Sequence, residues 1–267
     1  MITSSNNAKV KQVVQWQTKA KERRKDHVFL AEGVRMCEEA PVKSVREVYL
    51  TEELEQKLRR NAQNGDTAFW DKLQQTGYET VSPEVFAKMA DTQTPQGILT
   101  VLEQPAYDLT QLLEHPDPLF LILENLQDPG NLGTMIRTGE GAGITGVIMN
   151  QQTVDIFNPK TIRATMGSIF RVPFVYVPEL STVLTQMHER GIHTYAAHLK
   201  GQKYYDSFSF REPTAFLIGN EGNGLTKEIS DQAGQYLKIP MEGKVESLNA
   251  SIAAALLMYE AHRQRNL

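Results

Sequence analysis

Six short segments in the second half of the chain limit what it can fold into. Residues 119–123, 147–149, 174–177, 194–197, 215–218 and 236–239 are nearly continuous runs of apolar or β-branched side chains, with helix-like stretches and loops between them. A strand with one wet face alternates polar and apolar residues, whereas a strand apolar throughout is covered on both faces. The pattern predicts an α/β domain: a parallel sheet with helices packed on each side. At 267 residues the chain has room for that domain and a smaller one before it.

The first half reads as a small α/β unit. Strand-like segments 27–31, 46–50, 78–81 and 97–102 are interspersed with helix-like segments 33–40 and 52–60, and Ser82-Pro83 has the form of a helix start. Gln104-Pro105-Ala106 is the natural boundary, because Pro105 disfavours helix at Gln104 and cannot serve a central strand. The expected domains are residues 1–105 and 106–267. At the start, Val10, Val13, Val14 and Gln17 recur at helical spacing behind Ser4-Ser5-Asn6, which predicts a basic amphipathic helix.

Charge is unevenly spread. The chain carries 28 basic and 32 acidic side chains, a net −4, yet residues 1–25 hold seven basic residues against the single acid Glu22. Lys21, Arg23, Arg24 and Lys25 are the densest part of that segment. Such a cluster on an otherwise acidic chain is a candidate contact for nucleic acid, and its plain alternative is a solvated helix face. No apolar run approaches the ~18–20 residues needed to span a bilayer, and the N-terminus has no secretory signal. One cysteine, Cys37, cannot form an intramolecular disulfide, so a reducing, cytoplasmic setting is expected. The histidines show no metal-ligand spacing; His193 and His198, five apart in a strand-like run, fall on opposite faces, and no metal is expected.

Four loops are candidates for the chemistry. Gly141 to Gly146 matches G-x-G-x-x-G but follows a helix and precedes a strand, the reverse of a dinucleotide-binding turn. Gly219-Asn220-Glu221-Gly222-Asn223-Gly224-Leu225-Thr226 follows a strand and precedes a helix, but has Leu225 where a phosphate loop needs lysine. Its glycines mark close backbone approach or positive φ, and Glu221 calls for a polar or cationic partner. In the segment Leu123 to Thr138 a turn at Asp128-Pro129-Gly130 leads to Asn131, read as the cap of a helix carrying Arg137. The last loop, Ile239 to Asn249, leads into an alanine-rich helix with Ser247 read as its cap and Asn249 in its first turn.

Three of these segments, in this order and each at the C-terminal end of a predicted strand, resemble the SpoU (TrmH) family of RNA ribose 2′-O-methyltransferases in the SPOUT superfamily. Its motifs resemble residues 125–138, 218–225 and 239–260, and the first half is similar to the L30e-like RNA-binding domain that many members carry, with Phe29-Leu30-Ala31-Glu32-Gly33 and Thr94-Pro95-Gln96-Gly97 as its markers. The resemblance implies a catalytic domain with a C-terminal trefoil knot, S-adenosyl-L-methionine as cofactor, RNA (ribosomal more than transfer RNA) as partner, and a homodimer whose sites use both subunits. It maps the functional positions to Asn131, Arg137, Glu221, Ser247 and Asn249, and the cofactor loops to Gly219, Ile239, Met241 and Leu248. On that view the narrow alanine face of the last helix packs in the dimer. The alternative is an RNA-binding module whose methyltransferase domain has degenerated. A nucleotide-using transferase of another class fits less well.

Overall fold

The structure, a computed structural model, describes residues 1–267. Strands β1 (Val28–Glu32), β2 (Val45–Thr51), β3 (Glu79–Val81) and β4 (Ile98–Glu103) form one sheet in the order β1-β4-β2-β3. Strand β4 runs antiparallel to β1 and β2, and β3 runs parallel to β2. Both faces are covered, because alternate residues serve two cores. Leu99, Val101 and Tyr49 meet Val13, Trp16 and Phe86 on one side, and Ile98, Leu50 and Cys37 meet Leu54, Phe69 and Leu73 on the other.

The basic N-terminal segment is two helices, Ala8–Thr18 and Ala20–Asp26, and Asn7 rather than the residues before it caps the first by accepting from Lys9 N at 2.9 Å. Lys21, Arg24 and Lys25 are exposed. Arg23 departs from the surface reading. It is 3% exposed, and its Nη1 donates to the Trp16 carbonyl at 2.7 Å and the Gln17 carbonyl at 3.3 Å, so it ties the end of the first helix to the second.

This sheet and its helices, Met1–Pro105, form one compact unit together with a later excursion, Phe157–Phe170; the other unit is Ala106–Ile156 with Arg171–Leu267. The sequence reading keeps 106–267 together, and the excursion interrupts that span. Its helix Pro159–Thr165 lies against β1, where Phe29 meets Phe157 with ring centroids 5.0 Å apart and Phe170 at 6.2 Å, and Arg163 pairs with Asp91.

The second unit holds β5 (Leu119–Leu123), β6 (Gly146–Asn150), β7 (Phe174–Val177), β8 (His193–Ala197), β9 (Lys203–Tyr204), β10 (Thr214–Ile218) and β11 (Gln235–Lys238). They form a seven-stranded sheet in the order β7-β6-β5-β10-β8-β11-β9, parallel at every pairing. The six apolar runs account for six of these strands. The two-residue, exposed β9 at the edge has no hydrophobic signal. From β5 the chain first builds outward through β6 and β7, then fills the other side, so β5 and β10 meet where the direction of winding reverses. Ligands of parallel sheets bind at the carboxyl ends of strands beside such a switch point.

Candidate active site

The loops that leave β5 and β10 are bound to each other at that switch point. Glu124, 5% exposed, accepts from the Thr226 backbone N–H at 2.8 Å and the Thr226 hydroxyl at 2.7 Å, which anchors the far end of the glycine loop. The near end is held by Asn220, whose Nδ2 donates to the Asn125 carbonyl at 2.9 Å. Asn125 itself sits at φ +56°, a left-handed conformation that asparagine tolerates, and exchanges hydrogen bonds of 3.0 and 2.9 Å with the Asn150 amide at the end of β6.

Within the glycine loop, Asn220 and Gly224 exchange backbone bonds of 3.0 and 2.9 Å, and the Asn220 Oδ1 accepts from the amides of Gly222 and Asn223. Gly219 is obligatory. A Cβ there would lie 2.1 Å from the backbone carbon of Gly224 and the backbone nitrogen of Leu225.

Glu221 finds its polar partners in the first loop. Its carboxylate accepts from the Gln127 amide at 3.0 Å, the Asp128 amide at 2.9 Å and Asn131 Nδ2 at 3.1 Å. Burial alone would raise this carboxyl, but the donors from Asn131, Asp128 and Gln127 outweigh it and hold the pKa below the ordinary carboxylate range. The Asn131 Oδ1 in turn accepts from Asn249 Nδ2 at 2.9 Å. A single chain of hydrogen bonds, Asn249 to Asn131 to Glu221, thus joins three loops that lie far apart in sequence.

Two caps differ from the sequence reading, and each difference matters. Asp128, not Asn131, caps the helix Pro129–Ala142 by accepting from the Asn131 N–H at 2.7 Å, with Pro129 at the first helical position. This frees the Asn131 side chain to bridge Glu221 and Asn249. Asn249, not Ser247, caps the helix Ala250–Arg265 through bonds of 2.9 and 3.3 Å from the Ser251 and Ile252 amides. Its oxygen caps while its nitrogen reaches Asn131.

Beside this chain opens a cleft of about 270 Å³ at the carboxyl ends of β8, β10 and β11. Gly219, Ile239, Met241 and Leu248 all line it, as do Glu221 and Ser247. His198, which sequence reasoning set aside, lines it too; its ring stacks on Tyr236 at 4.7 Å, and its Nδ1 accepts from the Lys200 N–H at 3.1 Å. Burial, then the charge of Lys200, lowers its pKa. Apolar walls, a backbone-lined floor that admits no Cβ at Gly219 and the carboxylates of Glu221 and Glu246 fit a ligand that joins a planar heterocycle to a positive charge. No group of three or more His, Cys, Asp or Glu side chains is placed to hold a metal, and no helix is long and apolar enough to cross a membrane.

Arg137 stands apart from this constellation. It is exposed, and six residues along a helix from Asn131 it faces about 120° away. It lies one turn before Gly141, which faces the Tyr259 hydroxyl. Tyr259 belongs to an exposed apolar stripe on the last helix with Ile252 and Leu256, which are 48%, 50% and 36% exposed. Of the alanines that keep this helix narrow, Ala254 is fully buried with Leu257 and Met258, and Ala250, Ala253 and Ala255 are half-buried.

A wholly parallel sheet with a part-apolar, part-acidic cleft beside its switch point, walled by three knitted loops, defines an α/β protein with a ligand cleft at the carboxyl ends of its strands. The SpoU rRNA Methylase family matches residues 118–259, and an MRM3-like substrate binding domain matches residues 7–100; the chain belongs to the SpoU rRNA methylase family. It is 33% identical to the 23S rRNA (guanosine(2553)-2'-O)-methyltransferase RlmP of Bacillus subtilis (strain 168), over 97% of each chain. To the 23S rRNA (uridine(2479)-2'-O)-methyltransferase of Streptomyces viridochromogenes it is 32% identical, over 69% of this chain and 67% of that one. The crystal structure of the AdoMet-bound rRNA methyltransferase from Sinorhizobium meliloti superposes with a TM-score of 0.83 at 30% identity, covering 98% of this chain and 97% of that one.

Proposed function

We propose that this protein transfers a methyl group from S-adenosylmethionine to a ribose 2′-hydroxyl of RNA, with ribosomal RNA as the substrate class. The observation that carries the reading is the Asn249–Asn131–Glu221 chain beside a cleft lined by Gly219, Ile239, Met241 and Leu248. Those four residues would hold the cofactor, chiefly through backbone. The cofactor supplies an activated methyl group, and the protein supplies alignment, which can contribute ~7–11 kcal/mol. Glu221 and Asn131 fix the first loop against the glycine loop, and Asn249 and Ser247 set the entry of the last helix. A degenerate, non-catalytic module would have no reason to keep all these bonds in register.

The 2′-hydroxyl must lose its proton as the new bond forms. A guanidinium has no acceptor and a pKa above ~12, so Arg137 is a poor base; it suits holding a phosphate and stabilising the developing alkoxide, while the proton leaves to phosphate or water. With Arg137 away from its own cleft and beside the stripe of Ile252, Leu256 and Tyr259, a two-fold dimer through that stripe would deliver it to the partner's cleft. The 239–249 loop is the segment we assign to the knot. Lys21, Arg24 and Lys25 are the proposed RNA-backbone contacts of the first domain.

Arg137→Ala is expected to abolish methyl transfer to ribosomal RNA while S-adenosylmethionine binds with unchanged affinity by calorimetry. Normal turnover by that variant would remove Arg137 from the mechanism.

A further inference from the structure

Next to the cofactor cleft is a second groove, of about 320 Å³, that the chemistry above does not use. It is lined by Leu199, Tyr204, Lys238, Met241, Val245 and Glu246 among others, and it shares Leu199, Lys238, Met241 and Glu246 with the cleft, so the two are continuous. Its walls are unusual for a water-facing surface: Leu199 is 59% exposed, Tyr204 51% and Val245 62%. Its charge is unusual as well. The second unit has five lysines, Lys200, Lys203, Lys227, Lys238 and Lys244. Lys227 pairs with Asp231. Of the other four, Lys238 lines the groove and Lys200, Lys203 and Lys244 are chain neighbours of lining residues, with none in a salt bridge. Asp206, Glu242 and Glu246 are the acids of the same segments, so cations outnumber them here in a unit that is otherwise acidic.

Cations without a carboxylate partner around an exposed aromatic ring match a polyanion that carries flat, apolar groups; Lys203 Nζ, 6.0 Å over the Phe208 ring, is the one among them that already faces a ring. We propose that this groove seats an unpaired nucleotide of the RNA substrate, with the Tyr204 ring stacking on its base and Lys203 and Lys244 on the flanking phosphates. Only an unpaired base leaves a face open to such a ring. Continuity with the cofactor cleft makes it a subsite for the strand that carries the target ribose. Tyr204 is held there by β9, which pairs with β11 through Leu237–Lys203 and Lys238–Tyr204 and so shares a strand with the wall of the cleft. The proposal rests on the reading of the chain as an RNA methyltransferase.

The test uses the full-length protein and a single-stranded oligoribonucleotide containing 2-aminopurine, whose fluorescence is quenched by stacking. Tyr204→Ala is expected to weaken binding by about 5- to 150-fold and remove the quenching. Tyr204→Trp should keep both, and Lys203→Gln with Lys244→Gln should flatten the salt dependence by a slope of about 1.4. S-adenosylmethionine affinity should be unchanged in every variant. Unaltered RNA affinity and quenching in Tyr204→Ala overturns the proposal. So does a fall in oligomer mass with that variant, which would assign the groove to a second copy of the chain. Wild-type protein that methylates RNA while Tyr204→Ala does so with the same KM refutes the groove alone; wild-type protein that methylates no RNA refutes the reading beneath it.

Discussion

Single side chains in this protein do work that their neighbours in sequence cannot share. Glu221 accepts three hydrogen bonds as a carboxylate, and bonds to a charged group contribute ~1.5–3 kcal/mol each. Glu221→Gln offers one acceptor oxygen and turns an amide nitrogen toward donors, so kcat/KM for methyl transfer should fall about 10- to 150-fold. The sign of the pH effect follows from the lowered pKa. The folded loop holds its proton less tightly than the unfolded chain, so the contribution is complete above the ordinary carboxylate range and is lost as pH falls through the lower folded value. Denaturant stability measured against pH should therefore show an acid limb that Glu221→Gln lacks. Adjacent arginines part in the same way. Neutralising Lys21, Arg24 and Lys25 should flatten the salt dependence of RNA binding by about 0.7–0.9 for each phosphate left without its cation, and should leave the thermal midpoint in place. An unchanged slope would make the segment a solvated face. Arg23 gave no sequence sign of burial, because burial depends on the Trp16 and Gln17 carbonyls turning inward at the break between two helices.

At the scale of elements, strands were legible because continuous hydrophobicity is local information, and helix starts were legible only to within a few residues. Asp128 and Asn131, or Ser247 and Asn249, are all competent caps; the choice between them is made by partners some 90 or more residues away, which no local pattern encodes. Asp128-Pro129 did carry a usable signal, an acceptor followed by proline at the first helical position. The Asn150 link to Asn125 carried none. The double duty of Asn249 separates stability from function. Asn249→Asp keeps an acceptor for the Ser251 and Ile252 amides but loses the donor to Asn131, so denaturant stability should change by less than ~1 kcal/mol while methyl transfer falls at least ~10-fold. Equal losses in stability and activity would reduce Asn249 to a cap.

For the whole molecule, the exposed stripe of Ile252, Leu256 and Tyr259 recurs at helical spacing on one face. Leu256→Glu should convert a dimer into a monomer in light scattering. Mixing offers a sharper check on where Arg137 acts: Arg137→Ala chains combined with Asn131→Ala chains should regain about a quarter of wild-type activity, since one site in each mixed dimer is then intact. No recovery would place Arg137 in the cleft of its own chain. The fold class was legible in the sequence, as were the three motifs and their order. Which exposed residues would pair across subunits was not, because a lone chain records only which of its faces are left uncovered. The curated relatives act on a guanosine in one case and a uridine in the other, so the motifs they share with this chain do not by themselves choose the base.

The excursion Phe157–Phe170 bears on how such a chain can be taken apart. Phe157, Ile162 and Ile169, all buried, rest in the same unit as Phe29. A fragment begun at Ala106 would bring them into water as a greasy flap, inviting aggregation. The half that holds the cofactor is thus no detachable cassette, because a cut at Pro105 leaves residues 157–170 without the unit they belong to.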